Sequence, residues 1–297
     1  MADSLTKLYA GKAAAGYLSA SLLSGETLGK SNLTLLPNVA YKVNLRNFSM
    51  ANAAVADATC AFTSAGDVTY VEKALAPKRL QVNRALCKND WLSTWAGENM
   101  RAGLDGTLQT DFANYLISYT GALVGQQVEK SIWAGAAGTG GEFDGFEALM
   151  TADAAVVDVS AGTLSAANIV AELGKVRDAI PNAVYGHDDL AIFVGTAAWK
   201  YYVQAQSTLG YLNEFNAAVT AANFQGIAIK LAPGMSADTM VAGRKSNMFF
   251  ATDLESDMTE VKLLDQTMVD GSDNVNLVIK FNAGVGYSTG ADMVLYS

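Results

Sequence analysis

The sequence predicts an α+β protein, in which a strand-rich N-terminal third precedes one long helix and a mixed C-terminal half. Three candidate strands, bounded in part by Pro and charged residues, occur in the first hundred positions, and no long helical pattern does. Apolar residues then recur at helical spacing from Asp111 to about Trp133. From Ser165 helical patterns alternate with apolar runs, and after Asn223 most of the patterns are those of strands. At 297 residues the chain is long enough to bury a large core.

The composition indicates a protein that hides part of its surface. Hydrophobic residues make up 51% of the chain and charged residues only 16%, below the usual quarter for a soluble domain. So few charges cannot cover the whole exterior, which predicts burial against other subunits. The net charge of −9 argues against a domain built to grip nucleic acid, because phosphate binding needs a dominant basic stripe.

Charge is distributed unevenly along the chain. Residues 1–46 carry an excess of basic side chains, namely Lys7, Lys12, Lys30, Lys42 and Arg46 against Asp3 and Glu26. A basic arm on an acidic body suits a segment that crosses a neighbour's acidic surface, and it also suits an arm that faces packaged nucleic acid. A solvated, mobile arm is the remaining interpretation.

Membrane and disulfide classes are not supported. No stretch approaches the roughly 18 apolar residues that a membrane-spanning helix needs. The apolar segment 13–23 lacks a preceding basic cluster and contains Gly and Ser, so we expect a short helix and not a secretion signal. Cys60 and Cys87 are too few for a disulfide framework and are expected to be free in a cytoplasmic protein.

The first third predicts an exposed two-stranded ribbon. Candidate strands cover Tyr41–Phe48, Thr59–Val71 and Leu80–Leu86. The segment between the last two strands is expected to form a charged, Pro-marked hairpin tip, with Glu72, Lys73, Pro77, Lys78 and Arg79. Because an isolated ribbon is marginal in water, its support is expected from another part of an assembly.

A long helix follows this ribbon. Asp111 is a candidate N-cap, and an apolar stripe is formed by Phe112, Leu116, Tyr119 and Leu123. Roughly 20 residues at 1.5 Å each give a length of about 30 Å. Gly121 and Gly125 lie four residues apart on this helix, where they would permit a close backbone approach or bending.

The glycine-rich segment 135–145 does not have the pattern of a phosphate-binding loop. It lacks the Gly-Lys-Ser/Thr ending, and a helix precedes it where a phosphate-binding loop follows a strand. The segment is therefore predicted to be a turn.

The C-terminal half begins with an amphipathic helix. Ser165 is a candidate cap, Pro181 ends the pattern, and the apolar face consists of Ile169, Leu173, Val176 and Ile180. Leu190–Val194 is a continuous apolar run, typical of a strand buried on both faces.

A second helix and a series of strands complete the chain. Thr196 is predicted to cap a helix that carries Trp199, Tyr202 and Val203. The remaining predicted strands are Ile227–Leu231, Met240–Ala242, Asn247–Ala251, Met258–Leu264, Val275–Phe281 and Met293–Tyr296.

Residues for catalysis or metal binding are scarce. The single histidine, His187, lies beside Asp188 and Asp189 in a predicted loop, an arrangement that does not place a base between nucleophile and orienting acid. One His and two Cys are too few for zinc. We therefore predict no catalytic residue, no metal and no cofactor, and the chain is not expected to be an enzyme.

Two further clusters are interpreted structurally. The acidic residues Asp253, Glu255, Asp257 and Glu260 lack the calcium-loop pattern and are expected on a solvated loop and strand face. Trp91 and Trp95 lie four apart and suggest a buried helical face, because an RNA-stacking platform would carry surrounding basic residues on strands.

The order of these elements resembles the major capsid proteins of the Hong Kong 97 type, the shell fold of tailed phages and bacterial encapsulins. The resemblance covers nearly the whole chain through short loose signatures. These are Ile132-Trp133-Ala134-Gly135 followed by Asp144–Leu149, then Phe224–Ile229, Ala232–Met235 and Thr239–Arg244. In the last signature the family's aspartate is replaced.

The resemblance implies five regions. Residues 1–47 would be an N-terminal arm and residues 48–100 an extended β-hairpin loop. Residues 101–164 would hold a spine helix and a peripheral domain, residues 165–252 an axial domain, and residues 253–297 the return strands to the peripheral domain with the C-terminal strand.

The resemblance also implies a function. Such subunits form pentamers and hexamers that close into an icosahedral head around double-stranded DNA, with each extended loop lying over a neighbour. The inter-subunit contact would involve Glu72, Lys73, Lys78, Arg79 and Arg84. Partners would be further copies, a separate scaffolding protein, a portal, decoration or minor capsid proteins, and weakly and non-specifically the packaged DNA, but no membrane.

On this reading the protein belongs to the virion capsid and assembles in the host cytoplasm. Two alternatives stay open. One is an encapsulin-type compartment that encloses an enzyme cargo, and the other is a monomeric β-rich binding or adhesion protein.

Overall fold

The computed structural model describes residues 7–10, 26–30, 32–50, 68–87, 110–137, 142–208, 222–253, 260–267 and 269–297. Their helices, α1 to α5, are Glu26–Gly29, Thr110–Ala134, Phe146–Thr151, Ile169–Ala179 and Thr196–Thr208. Strands β1 to β7 are Lys7–Ala10, Thr34–Leu36, Val43–Met50, Val68–Leu75, Lys78–Cys87, Val157–Val159 and Leu190–Val194. Strands β8 to β14 are Asn223–Phe224, Ile227–Leu231, Met240–Arg244, Met248–Thr252, Glu260–Asp265, Asn274–Tyr287 and Val294–Tyr296.

Sheet I is built around the 14-residue strand β13. Its strand order is β1-β12-β13-β11-β2, and β5 also pairs with β13. Every pairing is antiparallel except that of β2 with β11. Side chains of β13 alternate between buried and half-buried positions over its first half, as its sequence pattern predicts.

Sheet II has the order β6-β14-β10-β7-β9-β8 and packs against helices α4 and α5. The predicted helix face of α4 is confirmed, since Ile169, Leu173, Val176 and Ile180 are all buried. The prediction that Leu190–Val194 forms a strand buried on both faces is confirmed as well.

The central strand β7 contributes to two cores. Ile192 and Val194 face the core formed with α4 and α5. Ala191 and Phe193 face the larger core, which also contains α2, α3 and sheet I. Trp133 of α2 is fully buried there, with its ring centroid 5.0 Å from that of Phe193. One sheet therefore joins both halves of the molecule.

Helix α2 buries a different face from the predicted one. Tyr119 and Leu123 are 51% and 48% exposed, although the sequence placed them on the buried stripe with Leu116. The buried row runs through Val124 and Val128 on nearly the opposite side. The helix begins at Thr110, so Asp111 lies inside the first turn and not before it.

Two glycines close the turn that follows α2. The N–H of Gly145 donates to the carbonyl of Gly135 at 2.8 Å. A Cβ on Gly145 would lie 2.4 Å from the carbonyl oxygen of Trp133, so the two backbones approach too closely for any other residue. The glycine-rich segment thus has a packing role at its two ends.

The strand pairing in the first third corrects the predicted ribbon. Strands β4 and β5 flank Pro77 but do not pair with each other. Strand β4 pairs with β3, and β5 joins sheet I through β13. Pro77 lies where the chain passes from the ribbon into sheet I, so the predicted hairpin tip around it is wrong.

Sheet membership also departs from the predicted regions. Strand β11, placed before the boundary at 252, belongs to sheet I, whereas the C-terminal strand β14 belongs to sheet II. Strands β1 and β2 of the predicted arm pair with β12 and β11 of the same chain.

Candidate assembly surface

Strands β3 and β4 form a separate two-stranded ribbon, called here the β3–β4 ribbon. Eight residue pairs join them, from Val43 opposite Leu75 to Met50 opposite Val68. Among the described residues, no further strand pairs with either of them. A two-stranded sheet buries too little surface to be stable without additional contacts.

Large apolar side chains on the β3–β4 ribbon are exposed. Phe48 is 66% exposed and lies opposite Tyr70, which is 78% exposed. Val68, Val71 and the preceding Tyr41 are exposed too. Phe48, Tyr70 and Val68 share one face of the ribbon, since successive residues of a strand point to opposite faces, and Val71 lies on the other face. A group of exposed apolar side chains on one face is typical of a site of interaction with another protein.

The ribbon is attached to the body at its base. Leu45 and Leu75 are buried in a small cluster with Val39 and Ala251. A Cβ on Gly286 would lie 3.1 Å from the side chain of Leu75, so β13 passes directly beneath this base. Along β4 only Leu75 is fully buried, and the residues farther from the base are mostly exposed.

Lys73 joins the ribbon to two other elements. Its ammonium group forms an ion pair with Asp153, in the connection between α3 and β6, and lies 3.9 Å from the ring centroid of Tyr287. The Tyr287 hydroxyl is within hydrogen-bonding distance of the Asp153 carboxylate, at 2.9 Å. The hydrogen bond from Lys73 lowers the pKa of Asp153, and burial raises the pKa of Tyr287. The carboxylate therefore stays ionised beside the cation.

Glu72 acts within the ribbon. Its carboxylate pairs with the Arg46 guanidinium at 2.8 Å and accepts a hydrogen bond from the Asn44 amide at 3.3 Å. Both partners lie on β3, so Glu72 links the two strands of the ribbon.

The other three predicted contact residues lie on β5, away from the ribbon. Lys78 donates to the carbonyl oxygen of Glu142 at 3.3 Å. Arg79 and Arg84 are exposed, and neither forms an ion pair with another described residue. The structure thus places Glu72 and Lys73 at the ribbon and the three cations on sheet I, and does not bring the five together.

A contact that the sequence did not reveal holds the N-terminal segment on α2. Glu129 is buried, and its carboxylate accepts hydrogen bonds from the backbone N–H and the hydroxyl of Thr27. The Trp133 indole N–H donates to the same hydroxyl at 2.8 Å. The sequence offered one signal of this contact, namely the acidic residue Glu129 within the helical pattern of α2.

The structure shows no catalytic arrangement in the part of the chain that it describes. His187 is exposed, and Asp189 is held by Arg244 at 2.9 Å and by the Ser246 hydroxyl at 2.6 Å. Burial acts to raise the pKa of Asp189, but these hydrogen bonds outweigh burial and lower it to about 2. Asp189 therefore serves as an ionised structural anchor.

The predicted acidic cluster is corrected at one position. Asp253 is fully buried and accepts a hydrogen bond from the N–H of Asn282 at 2.8 Å, so it is not on a solvated face. Glu255 and Asp257 lie outside the described residues, as do Trp91 and Trp95. No group of three or more metal-binding side chains occurs within the described ranges.

None of the described helices is both long enough and apolar enough to cross a membrane.

The fold is shared with several solved structures. A chain of the satellite phage P4 procapsid, solved with its size determination protein, has a TM-score of 0.60 and 11% identity, with 95% of this chain and 98% of that chain covered. A structure from Gordonia phage Cozz has a TM-score of 0.60 and 12% identity, with 92% and 86% covered. A virus-like particle from Pyrococcus furiosus has a TM-score of 0.56 and 11% identity, with 97% and 99% covered.

No protein-family model and no curated protein matches the sequence. The similarity is therefore one of fold and extends over nearly the full length of each chain. The chain has the α+β fold of the Hong Kong 97 type, as the sequence predicted.

Proposed function

We propose that this chain is the shell-forming subunit of a tailed phage head, a major capsid protein that assembles with further copies of itself. The observation that carries the proposal is the β3–β4 ribbon, whose apolar side chains Phe48 and Tyr70 are exposed. The fold shared with a phage procapsid chain supports the same function.

In the proposed assembly each ribbon lies over a neighbouring subunit. Burying one aromatic side chain such as Phe48 or Tyr70 would stabilise the contact by about 2 kcal/mol. A permanent contact of this class buries more than about 2,000 Å² in total. Because the ribbon and the surface that receives it differ, the contact is heterologous and generates rings, here pentamers and hexamers that close into an icosahedral shell.

The charged residues would set the register of these contacts. Arg79 and Arg84 are exposed and available to a neighbour, and Lys78 lies beside them on β5. Glu72 and Lys73 contribute indirectly, because their described partners belong to the same chain and fix the shape and direction of the ribbon.

The remaining partners follow from the same proposal. A separate scaffolding protein, a portal and decoration or minor capsid proteins would complete the head, with double-stranded DNA enclosed and only weakly contacted. The protein would then reside in the virion capsid after assembly in the host cytoplasm.

An encapsulin-type compartment is the second candidate. The observation that favours it is the likeness to the Pyrococcus furiosus virus-like particle, which covers 97% of this chain and 99% of that chain. The contents of the particle separate the two candidates, since a phage head encloses DNA and an encapsulin a cargo enzyme.

The first experiment is to measure particle size. The chain is expressed alone and with candidate scaffolding proteins, then measured by light scattering and negative-stain electron microscopy. Closed shells or five- and six-membered rings are expected. A Phe48→Ser/Tyr70→Ser variant should lose assembly, whereas Tyr185→Ser, which alters an aromatic residue 50% exposed on another surface, should assemble normally. A protein that stays monomeric under every condition would contradict the proposal and favour a monomeric binding protein.

A further inference from the structure

Helix α2 and strand β5 enclose a groove, called here the α2–β5 trough. It consists of two adjoining cavities of 450 and 580 Å³ that share Val82, Val124 and Gln127. Strand β5 pairs with β13 along one edge, and among the described residues no strand pairs with its other edge. The trough therefore follows the open side of sheet I.

The trough has an apolar floor and a basic rim. Leu80 and Val82 are half-buried in the floor, beside Leu123, which is 48% exposed. The rim carries Arg79 at one cavity and Arg84 with Lys130 at the other.

The three rim cations are not paired with carboxylates of the described part of the chain. By contrast, ion pairs are formed there by Arg46, Lys73, Lys175, Arg177 and Arg244. The carboxylate of Glu142 lies at the rim, but it accepts hydrogen bonds from Gln127 and Ser131. The rim thus carries three cations against the single carboxylate of Glu142, and this excess of positive charge in a chain of net charge −9 indicates an acidic partner.

The same chain presents a surface with the complementary chemistry. The turn 269–273, between β12 and β13, carries Val269, which is 78% exposed, next to Asp270 and close to Asp273. The Asp270 carboxylate accepts the N–H of Ser272 at 2.9 Å. Hydrogen bonds from Ser272 lower the pKa of Asp270, so the turn presents an ionised carboxylate beside an apolar side chain.

The turn cannot reach the trough of its own chain. Asn274 pairs with Cys87 at the end of β5, and Leu277 pairs with Arg84. At about 3.4 Å per residue, Arg84 therefore lies about 10 Å back from the strand end at which the turn begins. The hydrogen-bonded register of β13 holds the turn beyond this end.

We propose that the α2–β5 trough receives the turn 269–273 of a second copy of this chain. Val269 packs on the floor formed by Leu80, Val82 and Leu123, while Asp270 and Asp273 face the basic rim. The contact joins two different surfaces, so it propagates from subunit to subunit and rests on the assembly function proposed above.

Complementary charge reversal tests this contact. Arg79→Glu/Arg84→Glu reverses the trough, and Asp270→Lys/Asp273→Lys reverses the turn. Each variant alone should lower the yield of rings or shells at least about tenfold, because like charges then face each other. Combined in one chain, the four substitutions should recover most of the wild-type yield, since every reversed trough then meets a reversed turn.

Controls separate a specific contact from a change in net charge or folding. Lys200→Glu/Lys245→Glu makes the same charge change at exposed positions outside the trough and should assemble as wild type. Circular dichroism confirms that each variant is folded. Normal assembly by both reversed variants, or no recovery in a folded chain that combines the four substitutions, would overturn the proposal.

A crosslinking measurement keeps this contact distinct from shell formation. In a Cys60→Ser/Cys87→Ser background, Arg84→Cys with Asp270→Cys should give a ladder of disulfide-linked oligomers on a denaturing gel, and neither cysteine alone should. A ladder without shells would support the contact and contradict the capsid function. Shells without a ladder would support the capsid function and overturn the proposed contact. Normal shells of the trough variant that retain less DNA would overturn the proposal in favour of a nucleic-acid contact.

Discussion

Lys73 of the β3–β4 ribbon forms an ion pair with Asp153, 80 positions farther along the chain. Their side chains are 32% and 23% exposed, so water screens the pair only in part. The pair lies at the base of the ribbon, where Leu75 becomes buried. It therefore fixes the direction in which the exposed part of the ribbon leaves the body.

Removing this pair should loosen the ribbon. Lys73→Met keeps the length of the side chain but leaves Asp153 without the partner that most lowers its pKa. We expect a loss of about 1 kcal/mol and faster hydrogen exchange of the β4 amides near the base, with exchange in sheet II unchanged. Glu72→Gln, which removes an exposed pair inside the ribbon, is the matched control. Unchanged exchange in Lys73→Met would show that Leu45 and Leu75 hold the base alone.

The anchor at Asp189 predicts a pH-dependent stability. The pKa of Asp189 is about 2 in the folded protein and 3.8 in an unfolded chain. The ionised carboxylate therefore contributes its full stabilisation above pH 3.8, and this contribution is lost as the pH falls through about 2. Asp189→Asn should cost about 2 kcal/mol at pH 7 and about half as much at pH 3. Urea unfolding of both proteins across this range measures the difference. A cost that does not change with pH would mean that the lost hydrogen bonds, and not the charge, stabilise the site.

Gly234 and Gly174 offer a paired test of backbone packing. A Cβ on Gly234 would lie 2.2 Å from the carbonyl oxygen of Glu129, whereas a Cβ on Gly174 meets nothing within 4 Å. Gly234→Ala should therefore destabilise the protein by about 3 kcal/mol. Gly174→Ala lies inside α4 and should stabilise it by about 0.5–1 kcal/mol. Denaturant unfolding should therefore show changes of opposite sign in the free energy of unfolding. A Gly234→Ala variant as stable as the wild type would indicate that the 232–236 turn lies farther from α2.

The Thr27 contact predicts how strongly the N-terminal segment stabilises α2. Thr27→Val removes the hydroxyl that bonds Glu129 and Trp133 in a buried site, which should cost about 1–3 kcal/mol. Thr34→Val removes an exposed hydroxyl bonded to the carbonyl oxygen of Lys245 and should cost about 0.5 kcal/mol or less. Equal costs in chemical denaturation would indicate that Thr27 is no better protected from water than Thr34.

Local sequence patterns predicted much of the secondary structure, because the spacing of apolar residues over a few positions distinguishes a helix from a strand. Leu190–Val194 is confirmed because a continuous apolar run predicts a strand buried on both faces whatever packs against it, and the face of α4 is confirmed because its helical periodicity is strong and it packs on one core. The buried face of helix α2 was harder to predict, because the helix contacts several elements. Tyr119 and Leu123 belong to its clearest apolar stripe, yet both are exposed.

Long-range pairing could not be predicted. Strand β5 pairs with β13, whose residues lie nearly 200 positions later, so neighbours in sequence gave no sign of this partner. Pro77 indicated a break in the strands correctly, but the break separates two sheets and not two arms of one hairpin. The candidate site shifted for this reason, because the four charged residues predicted at one tip, Glu72, Lys73, Lys78 and Arg79, lie on two strands of different sheets.

The strand β7, with one face in each core, determines how the subunit responds to force. Ile192 and Phe193 point to opposite sides of the strand, so the two lobes cannot slide or tilt without disrupting close-packed side chains on both. The body should thus behave mechanically as one stiff plate, with compliance confined to the narrow base of the ribbon. In a shell under internal pressure, deformation would be taken up at the seams between such plates before any plate itself yielded.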